Sequence, residues 1–223
     1  MTYLFDIETE SRPRADIQVF APEITPTKTA IKAGEEAVAK YISDKQDAFF
    51  EKAALSPIHG QIFSIGYREI HPDGTSHDSI RTRMDVSEEE LIESVFNRVA
   101  MCIQKNGKLI GWCSNKFDIP FVLRRALILD VRIPSSMLLN GRGRYYGPPC
   151  HVDMNEIWAA GEYQASGSLD HVGLAMGYDL KPMGGEYFAP SWRNEETRDM
   201  ADAYWRLEMD ILEALARRSG ILV

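Results

Sequence analysis

The sequence lacks the hydrophobic runs that a membrane protein needs. No stretch approaches the roughly 18 consecutive apolar residues that span a bilayer as a helix. The N-terminus has no basic segment followed by a long apolar one, so we expect no signal peptide and a cytoplasmic location. Internal repeats and low-complexity tracts are absent as well.

Cysteine and positive charge are both scarce. The three cysteines, Cys102, Cys113 and Cys150, form no Cys-x-x-Cys pair, so neither a disulfide framework nor a zinc site is predicted. The formal net charge of −8 argues against tight, non-specific binding of duplex DNA, because phosphates attract Lys and Arg. It does not exclude a nuclease, since an enzyme that collects divalent cations carries clustered carboxylates whose bound metals reverse the local field.

An ordinary globular composition is present, with strand and helix patterns in alternation. The 223 residues, 44% of them hydrophobic, fit one fairly large domain. The order of elements predicts an α/β fold with a central twisted mixed sheet flanked by helices and a helical insertion at about residues 30–55. The His-Pro-Asp-Gly sequence at 71–74 predicts a hairpin, Ser87 a capped helix start, and residues 195–218 a long final helix.

Acidic residues occur in three segments, far apart in the sequence, where burial would penalise a charged carboxylate. Asp6 and Glu8 are two apart in a predicted strand and share a face, where they repel each other unless a cation lies between them. Asp118 follows an apolar strand at a helix start, and Asp210 lies beside the apolar stripe of the last helix. Each position also has an interpretation without metal binding. Asp6 and Glu8 could lie at a strand end that reaches solvent, Asp118 could be a helix N-cap, and Asp210 could form a salt bridge to an arginine.

The combination and its order favour chemistry over these alternatives. Four carboxylates from three segments can hold two divalent ions, which activate the attacking water and stabilise the leaving oxygen of a phosphodiester. Oxygen-only ligands without a nearby cysteine favour two Mg²⁺ or Mn²⁺ ions over Zn²⁺.

These segments resemble the three exonuclease motifs of the DEDD 3′→5′ exonucleases, a superfamily with the ribonuclease H-like fold. They are Asp-Ile-Glu-Thr at 6–9, Asn-Lys-Phe-Asp-Ile-Pro-Phe at 115–121 and the helix that bears Asp210. Within the superfamily, the sequence is similar to the proofreading domains of family B DNA polymerases and their stand-alone bacterial and phage relatives. The resemblance covers nearly the whole chain, so we expect one exonuclease domain over residues 1–223.

The resemblance implies an enzyme that removes nucleotides one at a time from the 3′ end of a single strand, with DNA preferred and RNA left open. The implied metal ligands, which are also the implied catalytic residues, are Asp6, Glu8, Asp118 and Asp210. The implied substrate contacts are Thr9, Asn115 and Phe117. The expected partners are the 3′ end of single-stranded DNA or RNA and proteins of replication or repair, with no membrane.

The match departs from the family at the residue that orients the attacking water. The superfamily has a tyrosine four residues, or a histidine five residues, before the last aspartate, and Arg206 and Trp205 hold these positions here. Arginine stays protonated and cannot act as a general base, although Arg206 could pair with Asp210 or bind a substrate phosphate. Tyr204 lies about 240° from Asp210 on a straight helix. Tyr204, His151 or the metals alone could activate the water, and a weakened site is the other alternative.

Three further features have open interpretations. The segment Arg-Gly-Arg-Tyr-Tyr at 142–146 suits phosphate contact and base stacking, or is an ordinary surface loop. Arg124 and Arg125 face either the substrate strand or solvent, and Glu208 is expected to be solvent-exposed.

The departure at Arg206 leaves a non-catalytic nucleic-acid-binding module as a second hypothesis, and an endonuclease on the same fold is a third.

Overall fold

A five-stranded mixed sheet forms the centre of the structure. The structure is a computed structural model that describes residues 1–138, 148–162 and 167–222. The strand order is β3-β2-β1-β4-β5, in which β2 and β3 pair antiparallel while β4 is parallel to β1 and β5. The strands are β1 (Thr2–Ser11), β2 (Gly60–Ile70), β3 (Ser76–Thr82), β4 (Leu109–Gly111) and β5 (His151–Asp153).

Helices make up most of the remaining described chain. They are α1 (Arg14–Ile17), α2 (Lys28–Ala33), α3 (Glu35–Glu51), α4 (Glu88–Gln104), α5 (Asp118–Ile128), α6 (Met154–Ala159), α7 (Leu169–Ala175), α8 (Phe188–Arg193) and α9 (Arg198–Arg218). Short 3-10 turns lie at Gln18–Phe20, Ala53–Leu55, Ser135–Met137 and Gly185–Tyr187. Within the ranges described above, no helix has the length and apolar character needed to cross a bilayer.

Local sequence signals set several of these boundaries. The predicted capping box is present, because the Ser87 hydroxyl accepts from the Glu90 N–H while the Glu90 carboxylate accepts from the Ser87 N–H. The predicted hairpin is present too, with Ile70 opposite Ser76. Gly74 in its turn has a φ of 85°, a left-handed conformation that glycine adopts without strain.

Two hydrophobic cores lie on opposite faces of the sheet. Side chains alternate along β1, so Tyr3, Phe5 and Ile7 pack on the face covered by α4 and α5. Leu4 belongs to the other core, which contains residues of α9 such as Met209. The same alternation turns Asp6 and Glu8 toward the α9 side of the sheet.

The chain divides into two compact units. One comprises Met1–Glu8 with Ile62–Val223, and the other comprises Thr9–Gln61. Both hydrophobic cores consist of residues of the first unit. The second unit contains α1, α2 and α3, and its ring contacts join Phe49 to Phe50 and to His59. Helices α2 and α3 lie in the second unit, while a single exonuclease domain with a helical insertion at about 30–55 stays a prediction.

Candidate active site

Two carboxylates of the central strand begin the site. Asp6 and Glu8 share one face of β1, and Glu8 is buried while Asp6 is partly buried. One ligand oxygen from each lies within 4.8 Å of the other and of an oxygen of Glu208 on α9. Three acidic side chains from two distant elements are therefore close enough to share one cation.

Asp118 joins this group from the first residue of α5. Its Oδ1 accepts a hydrogen bond from the N–H of Ile7 at 3.2 Å, between Asp6 and Glu8 in β1. Asp118 is buried, with 4% of its surface exposed. The fold thus brings the first two predicted motifs together. Asp6, Glu8, Asp118 and Glu208 are called the carboxylate cluster below.

The turn before α5 is fixed by Asp153, which lies outside the three predicted motifs. Asp153 ends β5 and is buried. Its Oδ2 accepts from the N–H of Asn115 and its Oδ1 from the N–H of Asn155, both at 2.9 Å. Cys113 in the same turn has a φ of 54°. Asp153 therefore anchors the backbone of the segment that leads into Asp118.

Asp210 does not lie in the carboxylate cluster. It is half exposed, and its Oδ1 pairs with Nη1 of Arg68, which also pairs with Asp78. The predicted convergence of Asp210 with Asp6 is therefore wrong. Asp210 is two residues beyond Glu208, or about 200° around the helix, so the two side chains point to nearly opposite sides.

Glu208 takes the place predicted for Asp210. The expectation that Glu208 is solvent-exposed is wrong, because only 8% of its surface is exposed. In the apolar row beside Asp210, Ala203 is exposed and Leu207 is only partly buried. The buried row has the spacing i, i+3, i+4, i+7 and i+11. Its members are Ala201, Tyr204, Trp205, Glu208 and Leu212.

The position of Glu208 changes the interpretation of the water-orienting residue. Counted from Glu208, the residue four positions earlier is Tyr204. Tyr204 is buried, and its hydroxyl donates a hydrogen bond to Glu8. Gly185 lies against this pair, because a Cβ there would stand 3.1 Å from the Tyr204 hydroxyl and 3.4 Å from Oε2 of Glu8. Tyr204 therefore belongs to the site, one helical turn from Glu208.

Arg206 and Trp205, which hold the family's positions when counted from Asp210, have other surroundings. Arg206 is exposed and pairs with Asp202 at 2.6 Å and with Asp78 at 3.0 Å. Trp205 is buried in the core on the α9 side. The arginine thus belongs to a surface ion network, and the tryptophan contributes to packing.

Lys181, which no sequence motif predicted, brings a positive charge to the site. Its Nζ lies 2.9 Å from Oε2 of Glu208, 3.5 Å from Oδ1 of Asp170 and 4.6 Å from the centre of the Tyr204 ring. Burial lowers the pKa of Lys181, but the charges of Glu208 and Asp170 outweigh burial and raise the pKa overall. Lys181 therefore stays protonated. A single lysine between two helices has no periodicity or motif that would have revealed it.

Burial and neighbouring charge raise the pKa of three carboxylates of the cluster, Asp6, Glu8 and Asp118. Burial is the largest cause for Asp6 and Glu8, the charge of Glu208 is next, and both pKa values lie well above their ordinary values. Burial also raises the pKa of Asp118 to about 7, although the N–H of Ile7 opposes the shift. A cation stabilises such a group of like charges. Because every donor is a carboxylate oxygen, the residues fit hard divalent ions such as Mg²⁺ or Mn²⁺.

The predicted substrate contacts take different positions around the cluster. Thr9 follows Glu8 in β1, and the alternation of the strand turns its side chain to the other face. Asn115 and Phe117 lie in the turn before Asp118 and are partly buried. Asn115 and Phe117 are therefore near a cluster residue in the chain, whereas the side chain of Thr9 is turned away from the face that carries Glu8.

His151 lies away from the carboxylate cluster. Its Nε2 is 2.9 Å from Oγ of Ser114, and its ring packs edge-on against Phe5. Phe5 belongs to the face of β1 opposite the cluster. Burial lowers the pKa of His151 to about 4, so the imidazole is neutral at physiological pH. These contacts give His151 a structural position instead of one beside the attacking water.

The remaining predicted features are the arginine pair on α5 and the segment 142–146. Arg125 faces neither solvent nor substrate, because it is buried and pairs with Glu88 at 2.8 Å. Its neighbour Arg124 is exposed. The segment 142–146 lies outside the described residues.

Comparison with known proteins identifies the family and the fold. A family described as "Predicted 3'-5' exonuclease related to the exonuclease domain of PolB" matches residues 60–214. No curated protein matches significantly. The fold is similar to that of the family B DNA polymerase from the hyperthermophilic archaeon Pyrobaculum calidifontis, with a TM-score of 0.58 and 16% sequence identity. That match covers 97% of this chain and 24% of the polymerase, so the chain spans about a quarter of the polymerase's length.

The comparisons agree with the arrangement of strands and helices around the cluster. The structural similarity confirms the expected ribonuclease H-like α/β fold. The family match covers most of the chain, including the segments that carry Asp118, Tyr204 and Glu208. The chain therefore belongs to the family of predicted 3′→5′ exonucleases related to the exonuclease domain of PolB, and it is a hydrolase of that family.

Proposed function

We propose that this protein is a metal-dependent 3′→5′ exonuclease that hydrolyses the terminal phosphodiester bond of a single strand, with DNA preferred over RNA. The observation that supports it is the convergence of Asp6, Glu8 and Glu208 within 4.8 Å, with Asp118 beside them. Such a group of buried like charges has little structural benefit without a cation.

The proposed cofactor is a pair of Mg²⁺ or Mn²⁺ ions held by the carboxylate cluster. When bound, such a pair supplies an activated water and stabilises the leaving oxygen of the phosphodiester. The cluster contributes four carboxylates, while Lys181 is the only ammonium that the described residues place against Glu208. This excess of negative charge is the electrostatic reason for expecting metal binding.

The chain's own groups have distinct roles in this proposal. The Tyr204 hydroxyl, which donates to Glu8, orients the attacking water one helical turn from Glu208. Lys181 holds Glu208 in position through its 2.9 Å ion pair. The bond from the Ile7 N–H to Asp118 fixes the carboxylate of α5 against β1. Asn115 and Phe117 contact the terminal nucleotide, as does the backbone near Thr9.

The alternative hypothesis of a non-catalytic nucleic-acid-binding module loses the observation on which it mainly rested. That hypothesis rested on Arg206 at the position of the water-orienting tyrosine. Counted from Glu208, the position is held by Tyr204, and Arg206 pairs with carboxylates at the surface. The tyrosine and the glutamate together favour an active enzyme.

The test uses a single-stranded DNA oligonucleotide labelled at its 5′ end, with an RNA of the same sequence in parallel. With Mg²⁺ or Mn²⁺, we expect a ladder that shortens from the 3′ end one nucleotide at a time, faster for DNA, and EDTA should stop it. Internal cuts would indicate an endonuclease instead. Binding without any cleavage would indicate the non-catalytic module.

A matched pair of variants on α9 tests the assignment of the site. Glu208→Gln should lower the rate by about 10²-fold or more, on the scale of a lost charged group that acts on the transition state. Asp210→Asn should leave the rate within a few-fold of the unmodified protein, because Asp210 pairs with Arg68 away from the cluster. The opposite outcome for the two variants would show that the proposed site uses the wrong carboxylate.

A further inference from the structure

Two of the three free cysteines lie side by side, on the face of the sheet away from the carboxylate cluster. Cys102 is on α4, and Cys150 directly precedes β5. The Sγ of Cys150 lies 3.9 Å from the carbonyl oxygen of Val99, one helical turn before Cys102. Cys150 packs against the core cluster that contains Cys102, and both residues border the same cavity.

The backbone holds both cysteines against one short segment of chain. The carbonyl oxygen of Cys102 accepts from the N–H of Gly107 at 2.7 Å, and that of Cys150 accepts from the N–H of Leu109 at 2.9 Å. Gly107 and Leu109 are two residues apart, so both cysteines flank the same short segment of chain. A disulfide joins residues whose Cα atoms are at most about 7 Å apart, so its formation tests how closely this segment brings the two cysteines together.

A surface cavity borders this pair of cysteines. The cavity has a volume of about 370 Å³, and both cysteines line it together with Asn106, Lys108 and Pro149. Cys102 is fully buried and Cys150 is partly exposed. A small oxidant can therefore reach the sulfur of Cys150 first.

We propose that Cys102 and Cys150 form a reversible intramolecular disulfide when the protein meets a peroxide, which ties α4 to the start of β5. In the first step, the Cys150 thiolate attacks one oxygen of hydrogen peroxide, the O–O bond breaks, and a sulfenic acid and hydroxide form. In the second step, the sulfur of Cys102 attacks the sulfur of Cys150, the S–O bond breaks, and the departing hydroxide takes the proton of Cys102. Two thiols and one peroxide give one disulfide and two waters.

The thiol that reacts first follows from the contact between the two. The hydrogen bond from Cys102 lowers the pKa of Cys150. That bond and burial raise the pKa of Cys102. Because the thiolate is the nucleophile, Cys150 is the attacking residue and Cys102 the resolving residue.

The experiment treats the reduced, full-length protein with one equivalent of hydrogen peroxide under native conditions. We expect the intact mass to fall by two hydrogen atoms and the count of free thiols to fall from three to one. Unreduced peptide mapping should link the peptides of Cys102 and Cys150, and dithiothreitol should restore all three thiols. Cys113→Ser is the matched control and should still form the bond.

Two variants and a melting curve distinguish this disulfide from other oxidation. Cys150→Ser and Cys102→Ala should each prevent the mass loss, and circular dichroism of each confirms that it is folded. The oxidised protein should melt at a higher temperature than the reduced one, since the bond constrains the unfolded chain. Cys150 trapped as sulfenic or sulfinic acid beside a free Cys102, or a bond that involves Cys113, would overturn the proposal. A lower melting temperature on oxidation would do the same.

Discussion

The carboxylate cluster holds more negative charge than its protein surroundings balance. Asp6, Glu8 and Asp118 have raised pKa values, mainly because burial penalises their charged forms. Lys181 offsets part of this charge through Glu208. At neutral pH and without metal, the folded state therefore bears a cost that a bound cation would remove.

Replacement of Asp118 by Asn should stabilise the metal-free protein. The amide keeps an oxygen that can accept from the N–H of Ile7 but carries no charge. The folded pKa of Asp118 is about 7 against an ordinary value of 3.8, so stability falls as pH rises from about 4 to about 7, and the full cost of the buried charge is present above pH 7. We expect Asp118→Asn to raise the Tm in EDTA at pH 8, through a gain in the free energy of unfolding of at most a few kcal/mol, and to have little effect at pH 4.

Metal provides the control for this prediction. Ions that bind only the folded state raise the Tm with their concentration. Added Mn²⁺ should therefore raise the Tm of the unmodified protein at pH 8 and have much less effect on Asp118→Asn. A variant that is less stable than the unmodified protein at pH 8 in EDTA would contradict the raised pKa.

Tyr204→Phe tests the residue that orients the water. The variant keeps the ring beneath Lys181 but loses the hydroxyl that donates to Glu8. We expect kcat to fall by about 10²-fold with little change in KM, the low end of the range for a positioned acid–base group. The matched variant Arg206→Gln should keep kcat within a few-fold. Equal losses for the two variants would argue against Tyr204 as the orienting residue.

Residue patterns predicted part of the site and missed the rest for identifiable reasons. Asp6 and Glu8 were visible because alternation on a strand is unambiguous over two residues. Asp118 was visible because it begins a helix after an apolar strand. On α9 the choice between Asp210 and Glu208 depended on which of two apolar rows is buried. An error of one residue in assigning the buried row turns the predicted inward face of the helix by about 100°.

At the scale of elements, a buried ion pair joins α4, α5 and β2. The Glu88 carboxylate accepts from the Ile62 N–H of β2 and from two nitrogens of Arg125, each at 2.8 Å. Both charged side chains are almost fully buried. Since α5 begins with Asp118, this pair also fixes the helix that carries part of the site.

Arg125→Met should destabilise the protein strongly, because it leaves the charge of Glu88 buried without its partner. The expected loss is about 3–5 kcal/mol, as for other broken buried ion pairs. The adjacent, exposed Arg124→Met should change stability by no more than about 0.5 kcal/mol. Urea unfolding with comparison of midpoints at equal m-values measures both. Similar small losses for the two variants would show that Glu88 finds other partners.

Elements with strong local signals were predictable, and contacts between distant elements were not. The capping box at Ser87 and the hairpin between β2 and β3 follow from residues within a few positions of one another. The bond from the Asn115 N–H to Asp153 and the ion pair of Lys181 with Glu208 join residues from separate elements. Only the folded chain brings such partners together, so no spacing in the sequence indicates them.

At the scale of the whole molecule, the unit formed by Thr9–Gln61 has the features of a self-contained insertion. Both hydrophobic cores are drawn from the other unit. The insertion's longest helix, α3, has no fully buried residue. The two ends of the insertion meet, because the N–H of Arg12 donates to the carbonyl oxygen of His59 at 3.0 Å. A short turn can therefore join Arg12 to His59.

Replacement of residues 13–58 by Asn-Gly, which favours a two-residue hairpin turn, should leave the rest of the chain folded. The variant keeps every residue of the two cores and of the carboxylate cluster, so we expect a single cooperative unfolding transition. The m-value should decrease, since fewer residues are exposed on unfolding. It should also retain Mn²⁺-dependent cleavage of a short oligonucleotide, because Tyr204 and Glu208 lie outside the removed segment. A broad, non-cooperative transition would show that the remaining chain depends on the insertion for its stability.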